Sequence, residues 1–143
     1  LIPYLYTAFA RYAFDGIPPV RAMFLEAPDD KRAWQCDSQF LFGPSLVVAP
    51  LRAGESGRSV YLPPGLWHDF DTGAAVEGGS MVEVRDLPLS KVPVFVRTGT
   101  ILPLAGVRQC VRDGERFDIH PVVYGSGPAE GALYEDDGGT FSY

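Results

Sequence analysis

Residues 39–51 read Gln39-Phe40-Leu41-Phe42-Gly43-Pro44-Ser45-Leu46-Val47-Val48-Ala49-Pro50-Leu51, or QFLFGPSLVVAPL. Two short apolar runs stand on either side of a Gly-Pro signal. Runs of this length, bounded by turn-formers, predict strands rather than helices. The same signature recurs at Ser59-Val60-Tyr61-Leu62, Met81-Val82-Glu83-Val84 and Val94-Phe95-Val96, with Pro63-Pro64-Gly65 and Gly78-Gly79 between them. No helical periodicity intervenes. Strands at this spacing predict an antiparallel β-sandwich. Past Gly106 the pattern resumes at 116–119, Val122-Val123-Tyr124 and Ala132-Leu133-Tyr134, and Phe141-Ser142-Tyr143 reads as part of a further strand.

The stretch before Gln39 has a different character. Residues 1–16 predict a helix, with Pro3 in the first turn and Gly16 just past the end. Thr7, Arg11 and Asp15 form one narrow polar stripe at a spacing of four, along which Arg11 and Asp15 can pair. Ile2, Leu5, Tyr6, Phe9, Ala10, Ala13 and Phe14 make the rest apolar. A helix apolar over most of its circumference is expected to be buried on most sides, and 143 residues offer little to cover it. It is therefore expected to belong to something larger. After Pro18-Pro19, Val20-Arg21-Ala22-Met23-Phe24-Leu25 is nearly continuous in apolar residues and predicts a strand covered on both faces, as in a parallel sheet. Helix, tight loop and doubly buried strand make half of an α/β unit.

Composition removes several functional classes. Hydrophobic residues make up 46% and charged residues 21%, ordinary globular proportions. The formal net charge is −6, and the basic residues are scattered singly apart from Lys31-Arg32, which argues against a nucleic-acid partner. No apolar run is long enough to span a bilayer, so no membrane partner is expected. Cys36 and Cys110 lack metal-ligand spacing and are too few for a disulfide framework; two free thiols are the simpler reading, with one bridge as the alternative. The sequence assigns no compartment.

Few residues could carry chemistry. Glu26, Asp29 and Asp30 follow the predicted buried strand, and carboxylates at the C-terminal end of a barrel strand face an active site. Glycoside hydrolysis needs two carboxyl groups about 5 to 10 Å apart. The plainer reading, a turn and helix cap at Pro28-Asp29-Asp30, is preferred. Tyr134-Glu135-Asp136-Asp137-Gly138-Gly139 is acidic enough to suggest a cation loop but lacks alternating ligand spacing, so a hairpin turn is preferred. In Trp67-His68-Asp69-Phe70, an exposed Trp67 could stack on a sugar, while packing of Trp67 and Phe70 in the sandwich is the plainer role. On a strand His68 and Asp69 would face opposite sides. His120, among apolar residues and before Pro121, reads as a satisfied structural histidine. No nucleophile–base arrangement or phosphate loop is present.

Taken in order, these stretches resemble the end of glycoside hydrolase family 31. Leu1-Ile2-Pro3-Tyr4-Leu5-Tyr6 is similar to the "LLPYLY" helix before that family's last barrel strand, and GIPPVRAMFLEAPDD, from Gly16 to Asp30, to its "GxPVxRPLFLEFPDD" strand and turn. QFLFGPSLVVAPL resembles the start of the proximal C-terminal sandwich. YLPPGLWHDFDTG, from Tyr61, resembles "YLPxGxWYDFxTG", and PLSKVPVFVRTGTILPL, from Pro88, resembles the end of the same domain. Tyr134-Glu135-Asp136-Asp137-Gly138 resembles the "LYEDDG" of the distal domain. Ala22-Met23, where "PL" is commoner, is reminiscent of the α-xylosidase branch.

The resemblance implies a mainly β chain in three parts: residues 1–37 as the last helix and strand of a (β/α)8 barrel, 38–105 as a proximal β-sandwich, and 106–143 as the start of a distal β-domain. It implies a retaining α-glycosidase acting on terminal α-glucosyl or α-xylosyl linkages, with oligosaccharide or α-glycoside bound through the barrel. Both catalytic Asp residues of the family lie on earlier strands, in motifs absent here, so no catalytic, cofactor-binding or metal-binding residue is carried over and no cofactor is expected. Arg21 is expected either to support the site or to form a buried ion pair. The chain by itself is expected to be inactive and, with its apolar helix and strand edges uncovered, to self-associate. A stand-alone carbohydrate-binding sandwich is the alternative.

Overall fold

The computed structural model describes residues 1–111, 116–137 and 139. Its elements run α1 (Ile2–Asp15), β1 (Val20–Arg21), a 3-10 turn at Met23–Leu25, α2 (Lys31–Trp34), β2 (Phe40–Phe42), β3 (Leu46–Val48), β4 (Arg58–Leu62), β5 (Leu66–Asp69), β6 (Ala75–Glu77), β7 (Ser80–Val84), β8 (Val94–Arg97), β9 (Thr100–Ala105) and β10 (Ile119–Tyr124). The protein is mainly β. One sheet has six strands in the order β1-β2-β3-β8-β5-β6, and β4–β7 and β9–β10 form two separate ribbons. All strand pairs are antiparallel.

The six-stranded sheet is the middle of the molecule. Alternation along β2, β3 and β8 sends Leu41, Val47 and Phe95 to one side, where they join Trp67 of β5 and Val60, Tyr61 and Leu62 of β4 in one buried cluster. Leu46 and Val96 point the other way and join Leu102 of β9, Tyr124 of β10 and Tyr4 of α1. The expected sandwich is thus a sheet covered on both faces, by β4–β7 on one and by β9–β10 with α1 on the other. Strands buried on both faces read as continuous apolar runs, which explains FLF, LVV and VFV.

The same rule fails at residues 20–25. Only Val20 and Arg21 form a strand, and it is an antiparallel edge paired with Phe42 and Leu41, with Val20 53% exposed. Met23–Leu25 turns into a 3-10 helix instead. Pro18-Pro19 and the turn leave room for a two-residue ladder only. The apolar run marks side chains such as the fully buried Met23, which packs under the sheet from a turn.

Helix α1 has the expected limits. Pro3 sits in its first turn, and Gly16 ends it at φ 71°, donating its N–H to the Tyr12 carbonyl at 3.0 Å. Arg11 and Asp15 pair at 3.8 Å. Burial, however, is confined to the face of Pro3, Tyr4, Thr7 and Ala8, which β9 contacts; Phe9 and Tyr12 remain 50% and 52% exposed. Tyr4 anchors the helix by donating to the Phe42 carbonyl at 2.9 Å and accepting from the Ser45 N–H at 3.1 Å. A Cβ on Gly43 would fall 2.3 Å from that hydroxyl, so the Gly-Pro turn has to be glycine for the helix to dock.

Past β9, the two strands expected at 116–119 and 122–124 are one, β10, pairing with β9 from Ile119↔Ala105 to Tyr124↔Thr100. Ala132–Tyr134 is not a strand. It lies along α1, with the Tyr134 N–H donated to Thr7 Oγ1 at 3.0 Å and its ring 5.7 Å from that of Tyr6. The strand expected at Phe141-Ser142-Tyr143 lies outside the described residues.

Gln39 ties the central sheet to β4. Its side-chain amide donates to the Tyr61 carbonyl at 2.6 Å and accepts the Tyr61 N–H at 2.8 Å, as a neighbouring strand would. Both groups are buried, and each would lose its partner in Gln39→Ala, at about 1–3 kcal/mol apiece. Urea unfolding should show Gln39→Ala less stable by about 2–4 kcal/mol, with a loss under about 0.5 kcal/mol contradicting this reading.

Candidate functional site

The loop from Arg21 to Trp34 carries the strand-end carboxylates. Arg21 is 11% exposed; its Nη2 contacts Glu26 Oε1 at 2.7 Å and donates to the Gly43 carbonyl at 3.0 Å. The half-buried ion pair is therefore structural in its contacts. It fixes the 3-10 turn to the β2–β3 turn. Asp30 is the N-cap of α2, accepting the Arg32 N–H at 2.9 Å, and it also accepts the Tyr61 hydroxyl. The Tyr61 hydroxyl and the Arg32 N–H hold the Asp30 carboxyl below its ordinary range. Burial, aided by Asp30, pushes the Tyr61 phenol up to about 12. Asp29 is exposed beside the cap. Trp34 closes the loop, stacked on Phe24 at 4.4 Å with its indole N–H donated to the Pro28 carbonyl at 2.8 Å.

A glycosidase pair needs one carboxyl able to deliver a proton near neutrality and a second that is ionised. Asp30 has the wrong shift for the first role. Glu26 has its charge matched by Arg21. The two carboxylates are anchored to different partners, and the cap reading describes Asp30.

Trp67 is 1% exposed, its indole N–H donated to the Pro63 carbonyl at 2.8 Å, with the Arg97 guanidinium 5.0 Å from its ring. It is core and offers no stacking face to a sugar. His68 points to the opposite face of the sheet, where Nδ1 lies 3.2 Å from the Gly73 carbonyl and Nε2 lies 3.1 Å from Thr98 Oγ1. A carbonyl only accepts, so Nδ1 carries the hydrogen, and in the neutral ring Nε2 accepts from Thr98. Asp69 Oδ1 folds the following turn, taking N–H groups of Asp71 and Thr72 at 3.1 and 2.8 Å.

His120 corrects the sequence expectation. It is 65% exposed on β10 with Asp118 at 3.3 Å, because it falls on the outer side of a two-stranded ribbon. The acidic stretch from Tyr134 also departs from the expected hairpin tip: Asp136 accepts the Tyr6 hydroxyl at 2.6–2.7 Å, docking the segment on α1. Gly138 lies outside the described residues. Cys36 and Cys110 are free thiols. Sequence reasoning missed Gln39, Tyr4 and Tyr61 as polar anchors; each sits next to an apolar run and reads as a strand or helix residue.

The Glycosyl hydrolase family 31 C-terminal domain matches residues 16–102. This chain belongs to glycoside hydrolase family 31. It is 35% identical to alpha-glucosidase 2 of Bacillus thermoamyloliquefaciens over 99% of its length, which is 18% of that protein. It is equally 35% identical to an alpha-xylosidase of Saccharolobus solfataricus, over 100% of this chain and 20% of that one. Its fold superimposes on the family 31 dextranase of Flavobacterium johnsoniae complexed with isomaltotriose with a TM-score of 0.84, at 38% identity, covering 96% of this chain and 18% of the dextranase. The chain thus spans about a fifth of the length of these relatives.

The ionised Asp30 carboxylate contributes to the stability of this family 31 domain through its hydrogen bonds to Tyr61 and the α2 backbone. A carboxyl depressed in the folded state stabilises it above the unfolded value, about pH 3.9, and loses that contribution as pH falls through the folded value. Asp30→Asn should therefore be less stable than the unsubstituted protein at pH 7 and converge with it in acid; a gap constant down to pH 2 would contradict this. Tyr61→Phe should cost about 1–2 kcal/mol in thermal unfolding at pH 7.

Proposed function

We propose that residues 1–37 close the catalytic barrel of a retaining α-glycosidase, that 38–105 are its proximal β-sandwich and that 106–143 begin a distal β-domain. The intact enzyme hydrolyses terminal α-glucosyl or α-xylosyl linkages, and this chain supplies scaffold and no catalytic residue. The observation that carries the reading is the engagement of both candidate acids: Glu26 with Arg21, and Asp30 with Tyr61 and the α2 backbone.

The packing supports the scaffold role. Burial of apolar surface stabilises at roughly 25 cal/mol per Å². The sandwich braces α1 and the Arg21–Trp34 loop through Tyr4, Met23 and Ala33, all buried against sheet residues. The outward face of α1, with Phe9 and Tyr12, together with Leu25 and Trp34, is the surface that the rest of the barrel covers. Left uncovered, it makes the isolated chain self-associate. A stand-alone sugar-binding sandwich working through Trp67 loses its support with that ring in the core.

Aryl α-glucoside and α-xyloside should not be hydrolysed by the purified 143-residue chain, and Glu26→Gln and Asp30→Asn in the intact enzyme should leave kcat within about threefold while lowering Tm. A fall in kcat of about 10³-fold or more, at unchanged fold, would place one of these acids in the chemistry.

A further inference from the structure

We propose that residues 130–137 form a strap that couples the last part of the chain to α1, so that loosening the strap and loosening the helix are one event. The strap is fixed at one end to β9. The Glu130 N–H is donated to the Gly99 carbonyl at 2.9 Å, and the Ile101 N–H to the Glu130 carbonyl at 2.8 Å. One residue on, a Cβ at Gly131 would lie 2.4 Å from the Ile101 carbonyl oxygen, so glycine is what lets the chain leave β9 this closely.

From there the strap meets α1 at three points. The Tyr134 N–H is donated to Thr7 Oγ1 at 3.0 Å, and the same hydroxyl donates to the Pro3 carbonyl at 2.9 Å, so Thr7 serves helix and strap at once. The Tyr134 ring lies 5.7 Å from that of Tyr6 and 5.8 Å from that of Phe14, two rings that share a face of the helix. Asp136 accepts the Tyr6 hydroxyl at 2.6–2.7 Å. That hydrogen bond pushes the Tyr6 phenol up to about 12, which keeps it a donor at neutral pH.

Each partner needs the other. A helix of 14 residues is marginal in water by itself and depends on packing. β9 holds the face of Pro3, Tyr4, Thr7 and Ala8, and the strap holds the side of Tyr6 and Phe14. Within residues 131–137, Tyr134 is the one side chain that is not exposed, and α1 is what covers it. These contacts lie at the solvent edge, whereas Val47 and Val96 of the central sheet are fully buried. Contacts of the first kind open locally while a core of the second kind stays closed. The coupling stands on these contacts and not on the assignment of α1 to a barrel.

Hydrogen exchange on the intact protein tests it through substitutions in the strap alone. Asp136→Ala removes the bond to Tyr6, and Gly131→Ala drives the strap off the Ile101 carbonyl. The amides of residues 6–15 should exchange about threefold faster in Asp136→Ala and about tenfold faster in Gly131→Ala, together with those of residues 132–136. Val47 and Val96 should keep their rates. Should Gly131→Ala fail to fold, Tyr6→Phe combined with Asp136→Ala decides: both remove one bond, so the double variant should exchange no faster than the single ones. Unchanged exchange of α1 in Asp136→Ala, equal acceleration of Val47 and Val96, or additive effects in the double variant would overturn the proposal. Glycosidase activity plays no part in this readout, so the proposed function stands or falls separately.

Discussion

The central sheet has two apolar faces, and neither can be left in water. Leu41, Val47, Phe95 and Trp67 on one side and Leu46 and Val96 on the other are all at most 3% exposed. Fully burying a side chain of this size stabilises by about 1.5–3 kcal/mol, so uncovering either face would remove a large share of the roughly 5–15 kcal/mol by which a domain is usually stable. The β4–β7 ribbon, the β9–β10 ribbon and α1 are where they are because the sheet demands covers. The polar contacts then fix how the covers sit. Gln39 sets β4, Tyr4 sets α1, and the Tyr124 hydroxyl on the Phe70 carbonyl sets β10.

That constraint also explains what could be read in the sequence. Strands β2, β3, β4, β7 and β8 were legible as short apolar runs between Gly and Pro, and α1 was legible from its proline, its glycine and its stripe of Thr7, Arg11 and Asp15. The doubly buried strand was expected at 20–25, whereas the doubly buried strands are those around Leu41, Val47 and Phe95. An apolar run reports burial, and Met23 obtains it from a turn. β5, β6 and β9 escaped notice because each carries polar or proline residues: His68 and Asp69 in β5, Glu77 in β6, Pro103 in β9.

The candidate residues divide by the same logic. Asp30 was legible as a cap because a cap is local, made with Arg32 two residues on. Its second partner, Tyr61, comes from 31 residues away and no local pattern announces it. His120 was misread because apolar neighbours on a two-stranded ribbon do not imply an interior. Trp67 and Phe70, taken together in sequence, separate onto opposite faces: one fills the core under β4, the other packs on Tyr124. The Phe70–Tyr124 contact joins residues 54 positions apart and could not be read from either segment.

What emerges is a domain of glycoside hydrolase family 31 in which Glu26 is paired with Arg21 and Asp30 caps α2 and accepts the Tyr61 hydroxyl. The central proposal is that the catalytic residues of the intact protein lie outside this chain. Trapping the covalent glycosyl-enzyme intermediate of the intact protein with a fluorinated glycosyl fluoride, followed by peptide mass mapping, tests it directly. The account predicts that the label falls on an Asp outside these 143 residues. A label on Glu26, Asp29 or Asp30 would contradict it.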